Sequence, residues 1–433
     1  METETAVPEI TNWKKRFFTI WTGQAFSMLG SRLVGFAFVW YLTSTTGSAT
    51  VLAIGTLVST VPDIIISPIA GALIDRWNRK AVLIVFDALT ALVTLILALL
   101  FTFGSVQVWQ IYVVLFIRSA FGGFQWAAML TSTSLMVPKS QLARVSGMNQ
   151  TLQGIMSILA PPLGAFLISI MPTQGVLMVD VGTAVIAIAP LFFFQIPQPE
   201  HSAHEKDKNG KIKSSVWQDL AEGFKYVVSW PGLLAIILIA MLINLLVSPA
   251  FSLIPILVTQ YFNKGVMDLG VIESVFGIGF VVGGLVLSVW GGFKNRMITT
   301  MTAMIMMGVS ISLVGIVPPN GFYWAAGALG LAGIMNPLVN GPIFAALQSR
   351  VDPQKQGRAF TLLGAGASLA SPIGLAIAGP VSDAIGIQIW FVIGGVACVI
   401  AGIASLFIPS IIELGKDVET DSAEVVAVES TST

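Results

Sequence analysis

A chain of 433 residues with 22 basic and 22 acidic side chains has no net charge, and only 10% of it is charged, against about 25% in an ordinary soluble domain. Hydrophobic residues make up 55%, and mean hydropathy is +0.85. So little charge excludes a water-soluble globule of this length, and the neutral balance gives no footprint for nucleic acid. The one cysteine, Cys398, lies in an apolar run, which excludes an intrachain disulfide and a thiolate metal cluster.

Apolar runs of about twenty residues recur along the chain, the length a hydrocarbon core of about 30 Å demands. They lack the alternation of a membrane β-barrel. Twelve transmembrane helices are expected, near 17–40, 50–73, 81–103, 107–130, 143–170, 175–194, 232–257, 267–290, 297–317, 322–346, 357–380 and 386–408. Lys14, Lys15 and Arg16 precede the first run like the basic start of a secretory leader. That run is too long for a leader and ends in no small-residue cleavage site, so it reads as a retained helix.

The longest connection, 195–231, opens on Pro197-Gln198-Pro199 and carries His201 and His204 among charged residues. It reads as a cytoplasmic linker with solvated histidines and a surface helix near Val216–Val228. It separates six-helix bundles at 17–194 and 232–408, flanked by a cytoplasmic N-terminus (1–16) and a cytoplasmic tail (409–433) that is acidic and expected to be disordered beyond Glu413. Of the 22 Lys and Arg residues, those in alternate connections fall nineteen against one, the exception being Lys264; Arg32 and Arg118 lie inside spans. The positive-inside rule then puts both termini in the cytoplasm and the protein in the cell membrane.

Traces of repetition link the halves. Val137-Pro138-Lys139 through Arg144 leads into the fifth span, as Val351-Asp352-Pro353 through Arg358 leads into the eleventh, and each span carries prolines with glycine close behind: Pro161-Pro162 with Gly164, and Pro372 with Gly374. Between spans two and three lies Gly71-x-x-x-Asp75-Arg76-x-x-Arg79-Lys80, which resembles the signature loop of the major facilitator superfamily, with Asn78 where a glycine is usual. Arg118-Ser119-Ala120-Phe121-Gly122-Gly123 resembles that superfamily's intramembrane arginine motif. Ala160-Pro161-Pro162-Leu163-Gly164-Ala165 resembles a degraded form of its proline-glycine antiporter motif. Trp21-Thr22-Gly23-Gln24-Ala25-Phe26-Ser27 and Thr46-Gly47-Ser48-Ala49 are similar to the macrolide-efflux-like branch.

The resemblance implies an all-α polytopic protein with two pseudo-symmetric six-helix bundles. It implies a monomeric secondary exporter of hydrophobic or amphiphilic compounds, exchanging drug for proton across the lipid bilayer without a cofactor. Gly71, Asp75, Arg76, Arg79 and Lys80 then form a gate, in which Gly71 lets a helix approach closely and Asp75 faces the start of span eleven near Arg358. Asp87 is expected to pair with the loop arginines.

Charges inside spans are expensive in hydrocarbon unless paired or hydrated, so they mark functional candidates. Asp63 and Glu273 are the expected proton carriers, with Arg118 or Arg32 tuning the acid and Asp180 as a further proton-coupling candidate; the bland alternative is a permanent Arg32–Asp63 pair. Asp180 is placed near the water interface. Gln24, Ser27, Asn149, Gln153, Asn244, Phe251 and Asn336 are the expected cavity contacts. An exporter or facilitator of a native solute, such as a siderophore or lysophospholipid, remains the alternative substrate reading. A membrane enzyme would need a metal cluster or an acid–base pair in a loop, a sensor an output domain, and a primary pump a phosphate-binding Gly-x-x-x-x-Gly-Lys-Ser/Thr loop; the sequence offers none of these.

Overall fold

The computed structural model describes residues 13–74, 77–104, 106–138, 141–196, 225, 228–350 and 353–415. Among them there is no strand. Where no water can satisfy a backbone amide, a helix that bonds all its own groups is the viable open-chain solution. Twelve helices are long and apolar enough to cross a membrane. They are α1 (Trp13–Thr46), α2 (Ala49–Ile74), α3 (Arg79–Phe103), α4 (Val108–Met136), α5 (Leu142–Ile170), α6 (Thr173–Phe193), α7 (Pro231–Ser252), α8 (Val266–Trp290), α9 (Arg296–Ile316), α10 (Phe322–Arg350), α11 (Pro353–Ile385) and α12 (Ile387–Leu406). A short α13 (Pro409–Leu414) follows. The linker histidines, the Val216–Val228 helix and the acidic tail lie wholly or largely outside the described residues.

Prolines act in two ways. α5 runs unbroken through Pro161 and Pro162; in a helix bundle, neighbouring groups re-satisfy the carbonyls that proline frees. The seventh span does break. α7 ends at Ser252, a single turn follows at Ile254–Ile256, and Leu257–Tyr261 winds as a π-helix. Pro255 supplies no amide and disfavours helix in the residue before it. The wide turn is tied down by Tyr261, whose hydroxyl donates to the carbonyl of Val317 at 2.8 Å.

Two compact units form: Met1–Leu42 with Gly55–Ala203, and Thr43–Ile54 with His204–Thr433. In the first, α3 packs on α4 and α6, around a core that includes Phe17, Ile20, Ala70, Ile74 and Leu83, all fully buried. In the second, α9 packs on α10 and α12, α8 on α10, and α7 on α11 and α12.

Small residues set these distances, since apolar side chains gain little by leaving lipid and tight backbone packing takes over. Gly279 and Gly283, four apart on α8, meet Gly330, Gly333 and Ile334 on α10. A Cβ on either α8 glycine would strike the α10 backbone, and one on Gly333 would strike that of α8. Gly284, next in the chain, faces open space. Gly283→Ala is therefore expected to lower stability by about 1–3 kcal/mol through overpacking, read as a fall in the unfolding temperature of purified protein. Gly284→Ala should be neutral or slightly stabilising, and equal behaviour of the two would reject this account.

Candidate functional site

Each unit holds its own cavity. The first unit's cavity, about 190 Å³, is walled by Trp21, Gln24, Ser27 and Met28 of α1, Asp87 of α3, Gln125 and Trp126 of α4, and Asn149 and Gln153 of α5. The second unit's, about 510 Å³, is walled by Asn244, Ser248 and Phe251 of α7, Asn336 and Asn340 of α10, and Met297, Met301, Met304 and Met307 along α9. All seven polar or aromatic positions singled out in the sequence line one or the other.

The first cavity is built on a repeating interval. Gln24 and Ser31 on α1, Asp87 and Thr94 on α3, and Arg118 and Gln125 on α4 are each seven residues apart, which puts each pair on one helix face about 10 Å apart. Two polar layers result.

In one layer Asp87, 3% exposed, accepts from the side-chain amides of Gln24 at 2.9 Å and Gln125 at 2.7 Å. In the other, Asp180 of α6, 2% exposed, forms an ion pair with Arg118 at 2.6 Å. Its oxygens also take the hydroxyls of Ser31 at 3.3 Å and Thr94 at 3.4 Å, and Arg118 contacts Thr94 as well. The two buried acids differ in kind. Asp180 has a cation, whereas Asp87, among the described residues, has only neutral donors. Beside Asp87, the indole of Trp21 donates to Asn149 at 2.7 Å, fixing the ring.

Several expectations are corrected. The carboxylate of Asp87 is turned into the bundle, toward Gln24 of α1 and Gln125 of α4, rather than toward the loop. Asp180 is not at an interface: α6 buries it between α3 and α4. Arg32 is not bonded to Asp63; its guanidinium donates to Gln153 at 3.0 Å, while Asp63 is exposed and accepts from Ser67, one turn on, at 3.0 Å. Asp63 and the half-buried Glu273 line neither cavity.

In the loop, a Cβ on Gly71 would meet nothing within 4 Å among the described residues. The packed face of α2 passes through fully buried Ala70 and Ile74 instead. Asn78, standing where a glycine is usual, caps α3 by accepting from the amide of Ala81 at 3.1 Å, as asparagine does well. Arg79 donates to the carbonyl of Thr131 at 3.1 Å and Lys80 to that of Phe192 at 3.5 Å. Each cation thereby sits toward the C-terminal end of a helix, α4 or α6, where the dipole favours it. Asp75, Arg76 and the side chain of Arg358 lie outside the described residues.

Comparison with known proteins agrees with this architecture. The family model described as Major Facilitator Superfamily matches residues 20–362 and 251–428. Macrolide efflux protein A of Streptococcus pyogenes is 33% identical over 384 residues, covering 89% of this chain and 93% of that one. Multidrug efflux pump Tap of Mycolicibacterium fortuitum is 25% identical over 400 residues, covering 89% and 93%. A bacterial homologue of the iron transporter ferroportin, solved in an inward-facing state, superposes with a TM-score of 0.69 at 13% identity, covering 93% of this chain and 99% of that one. Twelve apolar helices, the loop and arginine motifs, and these matches over most of the chain lead to one assignment: the protein belongs to the major facilitator superfamily, as a multi-pass membrane transporter related to the macrolide efflux proteins.

Proposed function

We propose that this transporter exports hydrophobic and amphiphilic drugs, macrolides among them, by alternating access in exchange for protons. The observation that carries the reading is Asp87, a buried carboxylate that faces a tryptophan-walled cavity and is met only by neutral donors. Such an ion is costly in a low-dielectric interior without a counter-charge. A proton relieves it, and so does an organic cation arriving in the cavity. The faces of Trp21 and Trp126 suit the same cation. Because one carboxylate cannot be neutralised by both partners at once, loading one releases the other, and that exclusion is the coupling.

The drug class is supported by the names of the relatives. The charge distribution supports a cell-membrane location with both termini cytoplasmic, and the protein acts as a monomer of two six-helix bundles. Arg118 and Asp180, by contrast, neutralise each other and hold α4 to α6; we assign them to the scaffold.

In sealed vesicles with an imposed pH gradient, Asp87→Asn is expected to lower proton-driven macrolide accumulation tenfold or more, about the size of a coupling free energy, while downhill movement persists. Asp63→Asn should stay within about twofold of the unmodified protein. Normal accumulation by Asp87→Asn would reject Asp87 as the coupling acid, and indifference to a protonophore would reject proton exchange.

Asp180→Asn leaves a guanidinium buried without its counter-charge and should cost about 3–5 kcal/mol, measured by thermal unfolding. The double replacement Arg118→Met with Asp180→Leu should recover most of that loss. An unaltered unfolding temperature in Asp180→Asn would mean that the pair is no scaffold.

A further inference from the structure

The start of α2 is capped by another helix. The first amides of any helix lack intrahelical acceptors, and a local side chain normally supplies one. Here the acceptor is Asp383, in the last turn of α11. Its carboxylate takes the amide of Ala49 at 2.7 Å, the amide of Thr50 at 2.9 Å and the hydroxyl of Ser48 at 2.8 Å. Ser48 Oγ in turn accepts from the amide of Val51 at 3.3 Å. A negative charge also sits at the positive end of the α2 dipole.

The backbones meet closely one turn back. A Cβ on Gly379 would lie 3.0 Å from Cα of Thr50 and 2.8 Å from Cβ of Ala53, so α11 can lie this near α2 only because residue 379 has no side chain. Thr43–Ile54 accordingly belongs to the second compact unit, while the rest of α1 and α2 belongs to the first. Transporters built from two such halves work by moving one against the other around the substrate. A cap that ties the start of a first-half helix to a second-half helix has to be remade in every cycle.

We infer that Asp383 is a latch on the start of α2, closed in one access state and open in the other. Its three bonds set how often that end opens in the absence of substrate. The inference rests on the alternating-access reading above, but on neither the drug nor the proton.

The test uses the full chain with Cys398→Ala, reconstituted in nanodiscs so that reagent reaches both faces. Ala53 is 1% exposed, so Ala53→Cys puts a lone thiol beneath the closed latch. A water-soluble maleimide should label it about tenfold faster when Asp383→Ala is added, the scale of a lost N-cap. Asp383→Asn, which keeps one acceptor oxygen, should give a smaller rise. Ser48→Ala, the mildest change, should raise labelling about twofold. Unchanged labelling in Asp383→Ala and Ser48→Ala would overturn the latch.

Labelling needs neither substrate nor gradient, so it decides the matter even where the macrolide reading fails.

Discussion

Hydrocarbon offers a buried polar group neither a hydrogen bond nor a counter-ion, and the organisation of this protein follows from that poverty. The two buried acids of the first bundle find their partners on other helices. Asp180 gathers a guanidinium from α4 and hydroxyls from α1 and α3, so that four helices converge on one carboxylate. Asp87 gathers two carboxamides from α1 and α4 and no cation. Both acids are hydrogen-bonded, but among the described residues only Asp180 is met by a cation. That single difference separates the two layers, although the same three helices supply both.

The architecture was legible in run lengths, since each helix crossing the bilayer has to be about twenty apolar residues long. The loop and arginine motifs were legible as strings. The cavity-lining amides Gln24, Asn149, Asn244 and Asn336 could be picked out because polar groups are rare in these spans. What the string hides is which acid meets which base: Arg118 and Asp180 are 62 positions apart, and nothing local distinguishes that partner from Asp63. Asp87 was drawn toward the loop arginines by its nearness in sequence, whereas its side chain turns the other way. A signal was nonetheless present. The seven-residue spacing of polar groups on α1, α3 and α4 marks three helix faces that match in height, and reading the three helices together, rather than one by one, would have assembled both layers.

Helix ends carry as much meaning as helix middles. Asn78 replaces a usual glycine and gives α3 a side-chain cap in return. Arg79 and Lys80 settle toward the ends of two other helices, so the loop's basic charge serves helix termini as well as topology. Asp383, at the far end of α11, caps the start of α2.

The methionine face of α9 has a consequence for how the second cavity can change over evolutionary time. Thioether side chains are unbranched and polarizable, and they re-form around a new shape with little strain. Replacing Met301 or Met304 by leucine or isoleucine alters the outline of the second cavity while nearly conserving volume, the kind of exchange that packed interiors tolerate best. The glycine contacts that hold α8 against α10, and the ion pair that binds α4 to α6, lie elsewhere. The outline of this cavity can therefore change by single substitutions in one wall without disturbing the joints on which folding depends.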